Sequence, residues 1–151
     1  MKACTATVRE NNFEKARKII REQKKLNKEV IFVSANDNLT RKILEKEPVN
    51  ILVVLQSHRK DHQKQRDSGF NQVLAKIAKK NNVKIGICLD EILASKSKQR
   101  AEILARVMQN IRLCSKNKIQ MKFCGENTRN IYDLKSLGLV LGMPTWMTKN
   151  L

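Results

Sequence analysis

Five short apolar runs, each followed by apolar residues at helical spacing, leave this chain few folds to choose from. The runs span Ala3 to Val8, Val30 to Val33, Ile51 to Leu55, Val83 to Leu89 and Ile119 to Phe123. Ile51 to Leu55 is continuously apolar and rich in β-branched residues, as suits a parallel strand covered on both faces. The first intervening helix places Phe13, Ala16, Ile19, Ile20 and Leu26 on one face, and the second uses Leu39, Ile43 and Leu44. Asn36 and Asp37 can cap the second, and Pro48 stops it, because proline has no amide hydrogen to continue the ladder. The third turns Phe70, Val73, Leu74, Ile77 and Ala78 inward and Lys76, Lys79 and Lys80 outward. The longest is expected from Ser95 to Lys116, on Ile103, Leu104, Val107, Met108, Ile111 and Cys114. The last carries Ile131, Leu134, Leu137 and Leu141 before Pro144. These alternations predict a single α/β domain over residues 1–151, with parallel strands in five β–α units. Right-handed crossovers would set every strand's C-terminal end on one rim, where α/β proteins meet their ligands.

Charge narrows the ligand. The chain carries 31 Lys plus Arg against 14 Asp plus Glu, a formal net charge of +17. Self-repulsion on this scale opposes compactness, and a polyanion relieves it. Nucleic acid is the commonest such partner and a membrane surface the next. No apolar run reaches the ~18 residues of a membrane span, and no helix joins an aromatic-rich face to basic flanks. The N-terminus lacks the apolar block of a signal peptide, and Cys4, Cys88, Cys114 and Cys124 show no C-x-x-C spacing. The resulting expectations are reduced thiols packed as small hydrophobes, no membrane partner and a cytoplasmic location.

The stretch from Ser57 to Gly69 leaves a central strand on the ligand rim with more cations than anions. Arg59, Lys60, Lys64 and Arg66 are its candidates for phosphate contact, arginine because its planar fork donates two parallel hydrogen bonds. Lys76, Lys79 and Lys80 continue the basic surface along the next helix. A lone basic run is usually a solvated loop; the whole-chain charge is what favours phosphate here. The same loop permits a second reading. His58 and His62, with Asp61 and Asp67 nearby and Asp90 and Glu91 after the next strand, are the ingredients of a metal-dependent phosphoesterase. Flanking cations that repel a divalent ion, and histidines confined to one loop, weigh against it. No G-x-S-x-G elbow surrounds Ser68, and neither G-x-x-x-x-G-K-[ST] nor G-x-G-x-x-G occurs. Trp146, Tyr132 and four phenylalanines are too few for a stacking platform, and Phe13, Phe32, Phe70 and Phe123 fall on apolar faces. Backbone and shape are therefore the expected recognition targets. Met143 to Met147, with Trp146, reads as a C-terminal plug, a protein contact being the alternative. Leu137 to Met143 is apolar on more than one face and is expected either deeply buried or covered by a partner.

Arg66-Asp67-Ser68-Gly69, then Val73-Leu74-Ala75-Lys76 and Asn82-Val83-Lys84-Ile85-Gly86-Ile87, resembles the central signature of protein component 3 of archaeal and eukaryotic ribonuclease P. The likeness continues through Asp133-Leu134 and from Leu137 to Pro144, and covers the chain from Val49 onward. It implies a TIM-like barrel with no catalytic group of its own and no cofactor bound by the protein. In that family the RNA subunit hydrolyses the phosphodiester with magnesium and removes the 5′ leader of precursor tRNA. The implied partners are the ribonuclease P RNA, the small ferredoxin-like component 2 and the other ribonuclease P proteins, with precursor tRNA met indirectly. By motif position Arg66 would contact RNA, while Asp67, Ser68 and Gly69 would shape the turn before the helix. Two departures stand out. Gln72 occupies a place where the family commonly has histidine, so no imidazole role carries over. Five β–α units fall short of the ~8 that close a barrel. An incomplete or reduced barrel is therefore expected, with a sheet edge at the first strand open to water or covered by a partner.

Overall fold

A computed structural model describes residues 4–127 and 129–151 of the chain; Ala3, the expected start of the first strand, lies outside them. Five strands alternate with helices in the order β1 (Thr5–Val8), α1 (Phe13–Lys25), β2 (Glu29–Ser34), α2 (Asp37–Lys46), β3 (Ile51–Val54), α3 (Gln72–Lys80), β4 (Lys84–Cys88), α4 (Leu89–Ala94), α5 (Ser97–Lys116), β5 (Met121–Cys124), α6 (Ile131–Val140) and α7 (Thr145–Lys149). Four helices start by one device, an extended asparagine whose side-chain oxygen accepts an amide from the first turn. Asn12 takes Glu14 and Lys15, Asn36 takes Leu39, Asn71 takes Leu74 and Asn130 takes Tyr132.

All strand pairs are parallel and their spatial order follows the chain, β1-β2-β3-β4-β5. A doubly wound sheet reverses its order part-way; this one does not, which is how a barrel is wound. The helices lie on one face. There Val30, Phe32, Leu52, Ile85 and Met121 join Ile20, Leu44, Ala78, Ile103 and Ile111 in one core. The other face carries a smaller cluster, with Val33, Ile51 and Val53 buried and Ile31, Leu55, Cys88 and Cys124 packed around them. Strand register sets its rows: Thr7, Ile31, Ile51 and Lys84, then Val33, Val53, Gly86 and Lys122. The sheet curls over this face, so that β1 and β5 contribute Thr5, Thr7, Lys122 and Cys124 to one cavity of about 630 Å³. Among the described residues no strand pairs with the outer edges of β1 and β5.

Several expected boundaries shift for visible reasons. Leu89 begins a short helix, α4, instead of ending β4, and the long helix expected from Ser95 to Lys116 is the single helix α5, which starts at Ser97. Ser95 caps α4, its hydroxyl donating to the Ile92 carbonyl (2.9 Å), and with Lys96 extended and Ser97 at φ +46° the chain re-enters helix only at Ser97. Ile119 is buried but lies outside β5, its amide spent on the Cys114 carbonyl (2.9 Å). The C-terminal cluster forms α7 and plugs the helix-side core with Met143 and Met147 buried and Trp146 packed against it. From Leu137 to Met143 burial is uneven: Leu141 and Met143 are buried, whereas Val140 is 80% exposed.

The cysteines are free thiols, but not all are packed. Cys4 is exposed where it precedes the edge strand β1, its carbonyl accepting the Glu29 amide (3.0 Å). Burial pushes Cys114 up to about 12 and Cys124 up to about 11, and raises Cys88. At pH 8 a thiol with a pKa near 11 is only about one part in a thousand thiolate. With a disulfide reagent at pH 8, one thiol per chain, Cys4, is expected to react promptly and three only after denaturation. Prompt release of two or more equivalents would contradict the packing described.

Candidate nucleic-acid interface

The stretch between β3 and α3 is bound to the scaffold at both ends and from below. At its start the Gln56 amide donates to both Glu91 carboxylate oxygens (2.9 and 3.0 Å), and the Ser57 amide donates to the same group. The buried Gln56 side-chain amide bridges the Val54 and Ser68 carbonyls, both at 2.9 Å, tying the loop's start to its end. At that end the Asp67 carboxylate accepts the Gly69 amide (3.0 Å), and the Ser68 hydroxyl accepts the Phe70 amide (3.3 Å). These local side-chain turns direct the backbone into the Asn71 cap of α3. Gly69 has φ +70°, and a Cβ there would lie 2.3 Å from Arg59 Nη2.

Two arginines cross under the loop. Arg59 donates from Nε to the Leu55 carbonyl (2.7 Å) and from its terminal nitrogens to Asp37 (2.6 and 3.3 Å). Only 10% of its side chain is exposed, so its guanidinium is engaged within the protein. Arg106 of α5 is 3% exposed and reaches three points of the loop: the Asp61 carboxylate (3.0 Å), the Gln56 carbonyl (3.2 Å) and the Arg59 carbonyl (2.9 Å). Asp61 also accepts the Asp67 amide (2.9 Å). That backbone N–H, with Arg106 second, holds the Asp61 carboxyl below the usual range, so it is an ionised acceptor at neutral pH. Arg106 went unnoticed in the sequence, yet it bears a signal. It falls three residues after Ile103 and four before Asn110, a charge on the apolar side of a helix.

What this framework leaves outward is basic. Lys60, Lys64 and Arg66 are exposed, and no carboxylate stands within 4 Å of any of them among the described residues. Lys64 takes φ +64° in a turn closed by the Gln65 amide on the His62 carbonyl (3.0 Å). Lys76 is exposed on α3. Lys79 and Lys80 sit in its last turn, about 12 Å along the helix axis from Gln72 and beside the chain's return into β4. Lys79 donates there to the Lys118 carbonyl (2.9 Å). The basic charge thus divides between both rims, since Lys24, Lys25, Lys46 and Lys116 also occupy last turns of helices, where cations complement the helix dipole. Gln72 makes a paired side-chain contact with Asn117 (3.0 and 3.2 Å).

The carboxylates proposed for a metal are spent elsewhere. Asp61 and Glu91 hold the loop as described, and Asp90 accepts the Glu126 amide (2.8 Å) and the Asn127 side-chain amide (2.9 Å). Among the described residues no three His, Cys, Asp or Glu side chains stand where they could share an ion. The phosphoesterase reading is therefore not favoured. No helix of the described residues is long and apolar enough to cross a membrane.

No family model matches the chain. Two curated relatives, each a ribonuclease P protein component 3, from Methanosarcina acetivorans and Methanosarcina mazei, are 38% identical to it over 71 residues. That stretch is 47% of this chain and 29% of each relative, so the chain matches under a third of their length. The same-named protein of Methanococcus vannielii is 29% identical over 89 residues, 58% of this chain and 36% of the relative. Among solved structures, a chain of the cryo-EM structure of archaeal ribonuclease P with mature tRNA superposes with a TM-score of 0.78 at 20% identity. The match covers 95% of this chain and 62% of that one. The chain is thus similar to ribonuclease P protein component 3 over about half its length and shares its parallel α/β fold with a chain of an archaeal ribonuclease P structure.

Proposed function

We propose that the chain binds RNA as a protein subunit of ribonuclease P and supports the catalytic RNA in removing the 5′ leader of precursor tRNA. One observation carries this reading: among the described residues Lys60, Lys64 and Arg66 project without a carboxylate partner from a loop that Arg59 and the buried Arg106 tie to the scaffold. A tethered loop backbone leaves less to order when its cations meet a phosphate, and the loop's own acids are already occupied. Sequence similarity to component 3 supports the assignment to this ribonucleoprotein in particular. In this reading Lys60, Lys64 and Arg66 meet phosphates, Arg59 anchors the loop, and Asp67, Ser68 and Gly69 shape its exit. Lys76, Lys79 and Lys80 extend the contact along α3. Magnesium belongs to the RNA, and chemistry is assigned to no protein side chain. Component 2, other ribonuclease P proteins and the cytoplasm complete the proposed setting.

The test is binding to a transcript of Methanosarcina acetivorans ribonuclease P RNA as salt is varied. Each neutralised phosphate adds about 0.7–0.9 to the slope of log affinity against log salt. Lys60→Ala, Lys64→Asn and Arg66→Ala together should lower that slope by about 2 and weaken binding about 100-fold near 0.1 M salt. Asparagine is chosen at position 64 because it tolerates the left-handed backbone. A control with Lys18→Ala and Lys25→Ala, exposed on α1, should lose much less. Equal losses for both sets would reduce the loop to one part of a diffuse charge. Cleavage of RNA by the isolated chain would refute the non-catalytic role.

A further inference from the structure

We propose that the groove between the 57–69 loop and α5 seats one RNA phosphodiester between Lys64, Arg66 and Arg112, and that Arg106 is the positioning residue for the loop side of this seat. The proposal rests on the RNA-binding reading and deepens it. The groove has a volume of about 720 Å³, room for a phosphate with its flanking sugars. One wall is the loop, with Lys64 and Arg66; the other is the outer surface of α5, with Met108 and Arg112 one helical turn apart. Arg112 is exposed and, like Lys64 and Arg66, has no carboxylate within 4 Å among the described residues. Asp61 also lines the groove, but its charge is opposed by Arg106 at 3.0 Å. Three free cations therefore face one another across a cleft whose single acid is already paired. Such a constellation favours a phosphate, which can bridge both walls and relieve their mutual repulsion.

The two walls belong to elements far apart in sequence, so the seat's width depends on what joins them. Arg106 does so. It lies on α5 less than two turns before Arg112, is buried beneath the loop, and holds the backbone at Gln56 and Arg59 and the side chain of Asp61. Asp61 in turn fixes the Asp67 amide, so both ends of the 62–66 turn hang on one guanidinium. At 3% exposure Arg106 is itself shielded from RNA.

The experiment uses the full chain and the same ribonuclease P transcript. Arg112→Ala, an exposed change on a helix surface, should weaken binding about fivefold near 0.1 M salt and lower the salt slope by about one contact. An unchanged slope would overturn the seat. Arg106→Gln should weaken binding by no more than Lys64→Asn and Arg66→Ala together, the loop side it positions, and so by less than the triple variant that also carries Arg112→Ala. Added to that triple variant it should cost less than a further twofold, because the seat it positions is already gone. Arg106→Lys should recover part of the loss. Hydrogen exchange should quicken at loop amides 60–67 in Arg106→Gln while sheet amides keep their protection. If Arg106→Gln weakens binding equally with and without the seat cations, its role is general stability and the positioning claim fails. If the unaltered chain does not bind the transcript, the RNA-binding reading fails instead, and loop exchange still reports whether Arg106 anchors the loop.

Discussion

Gly69→Ala is expected to cost about 3 kcal/mol of stability, lowering the melting temperature of a domain of this size by about 6–12 °C. Two effects combine. Gly69 has φ +70°, a region in which a Cβ is crowded against the following carbonyl, at a cost of about 1–2 kcal/mol. The new carbon would also lie 2.3 Å from Arg59 Nη2 and 2.5 Å from Cζ, so the guanidinium has to leave. Leaving breaks its bonds to the Leu55 carbonyl and to Asp37. Asp37 is about half exposed, so water replaces part of that ion pair and its loss adds only about 1–2 kcal/mol. The two contributions separate in an Arg59→Ala background, where the clash is absent. There Gly69→Ala should cost only the backbone share, about 1–2 kcal/mol. Denaturant unfolding of the four proteins measures this, and strict additivity would show that Arg59 does not occupy the space under Gly69.

That arrangement marks where sequence reading stops. The alternation of strands and helices was legible because a parallel strand buried on both faces is continuously apolar, as Ile51 to Val54 is, while a helix under one face shows a single stripe. The basic loop and its place after a central strand were legible too. The loop's internal wiring was not. Arg59 and Arg66 look alike in the chain, yet one is 10% exposed on Asp37 and the other stands free. The partner that distinguishes them lies 22 positions upstream and is brought near only by the β2–β3 pairing. Asp61, Asp90 and Glu91 likewise read as metal ligands, because a carboxylate's residue type does not reveal whether backbone amides already fill it. Helix boundaries moved where a serine hydroxyl competes with the backbone, as at Ser95, a local choice settled by packing around Ile92.

The concave face of the sheet yields the other large effect: Gly86→Val is expected to cost about 3 kcal/mol or to prevent stable folding. Gly86 occupies a cross-strand row with Val33, Val53 and Lys122, on the face the curling sheet closes upon. A Cβ added there would lie 2.5 Å from Val53 Cγ2, 2.9 Å from Cys124 Sγ and 3.1 Å from Ile51 Cγ2. The neighbours have thus filled the glycine's empty place. Val53 is 1% exposed, and its branched Cβ has few alternative rotamers, so relief has to come from strand movement. Overpacking of this kind costs about 1–3 kcal/mol for a methyl-sized intrusion, and valine adds two further carbons. A smaller pair of changes isolates the cause. Gly86→Ala alone should destabilise by about 2 kcal/mol, and Val53→Ala alone by about 2 kcal/mol through the cavity it leaves. Together they should cost at least about 1 kcal/mol less than the sum, since the new methyl fills the vacated volume. Equilibrium denaturation at fixed temperature would reveal that coupling. Independent, fully additive losses would mean that β3 and β4 do not press on one another across this face, and that the sheet is flatter than a segment of barrel wall.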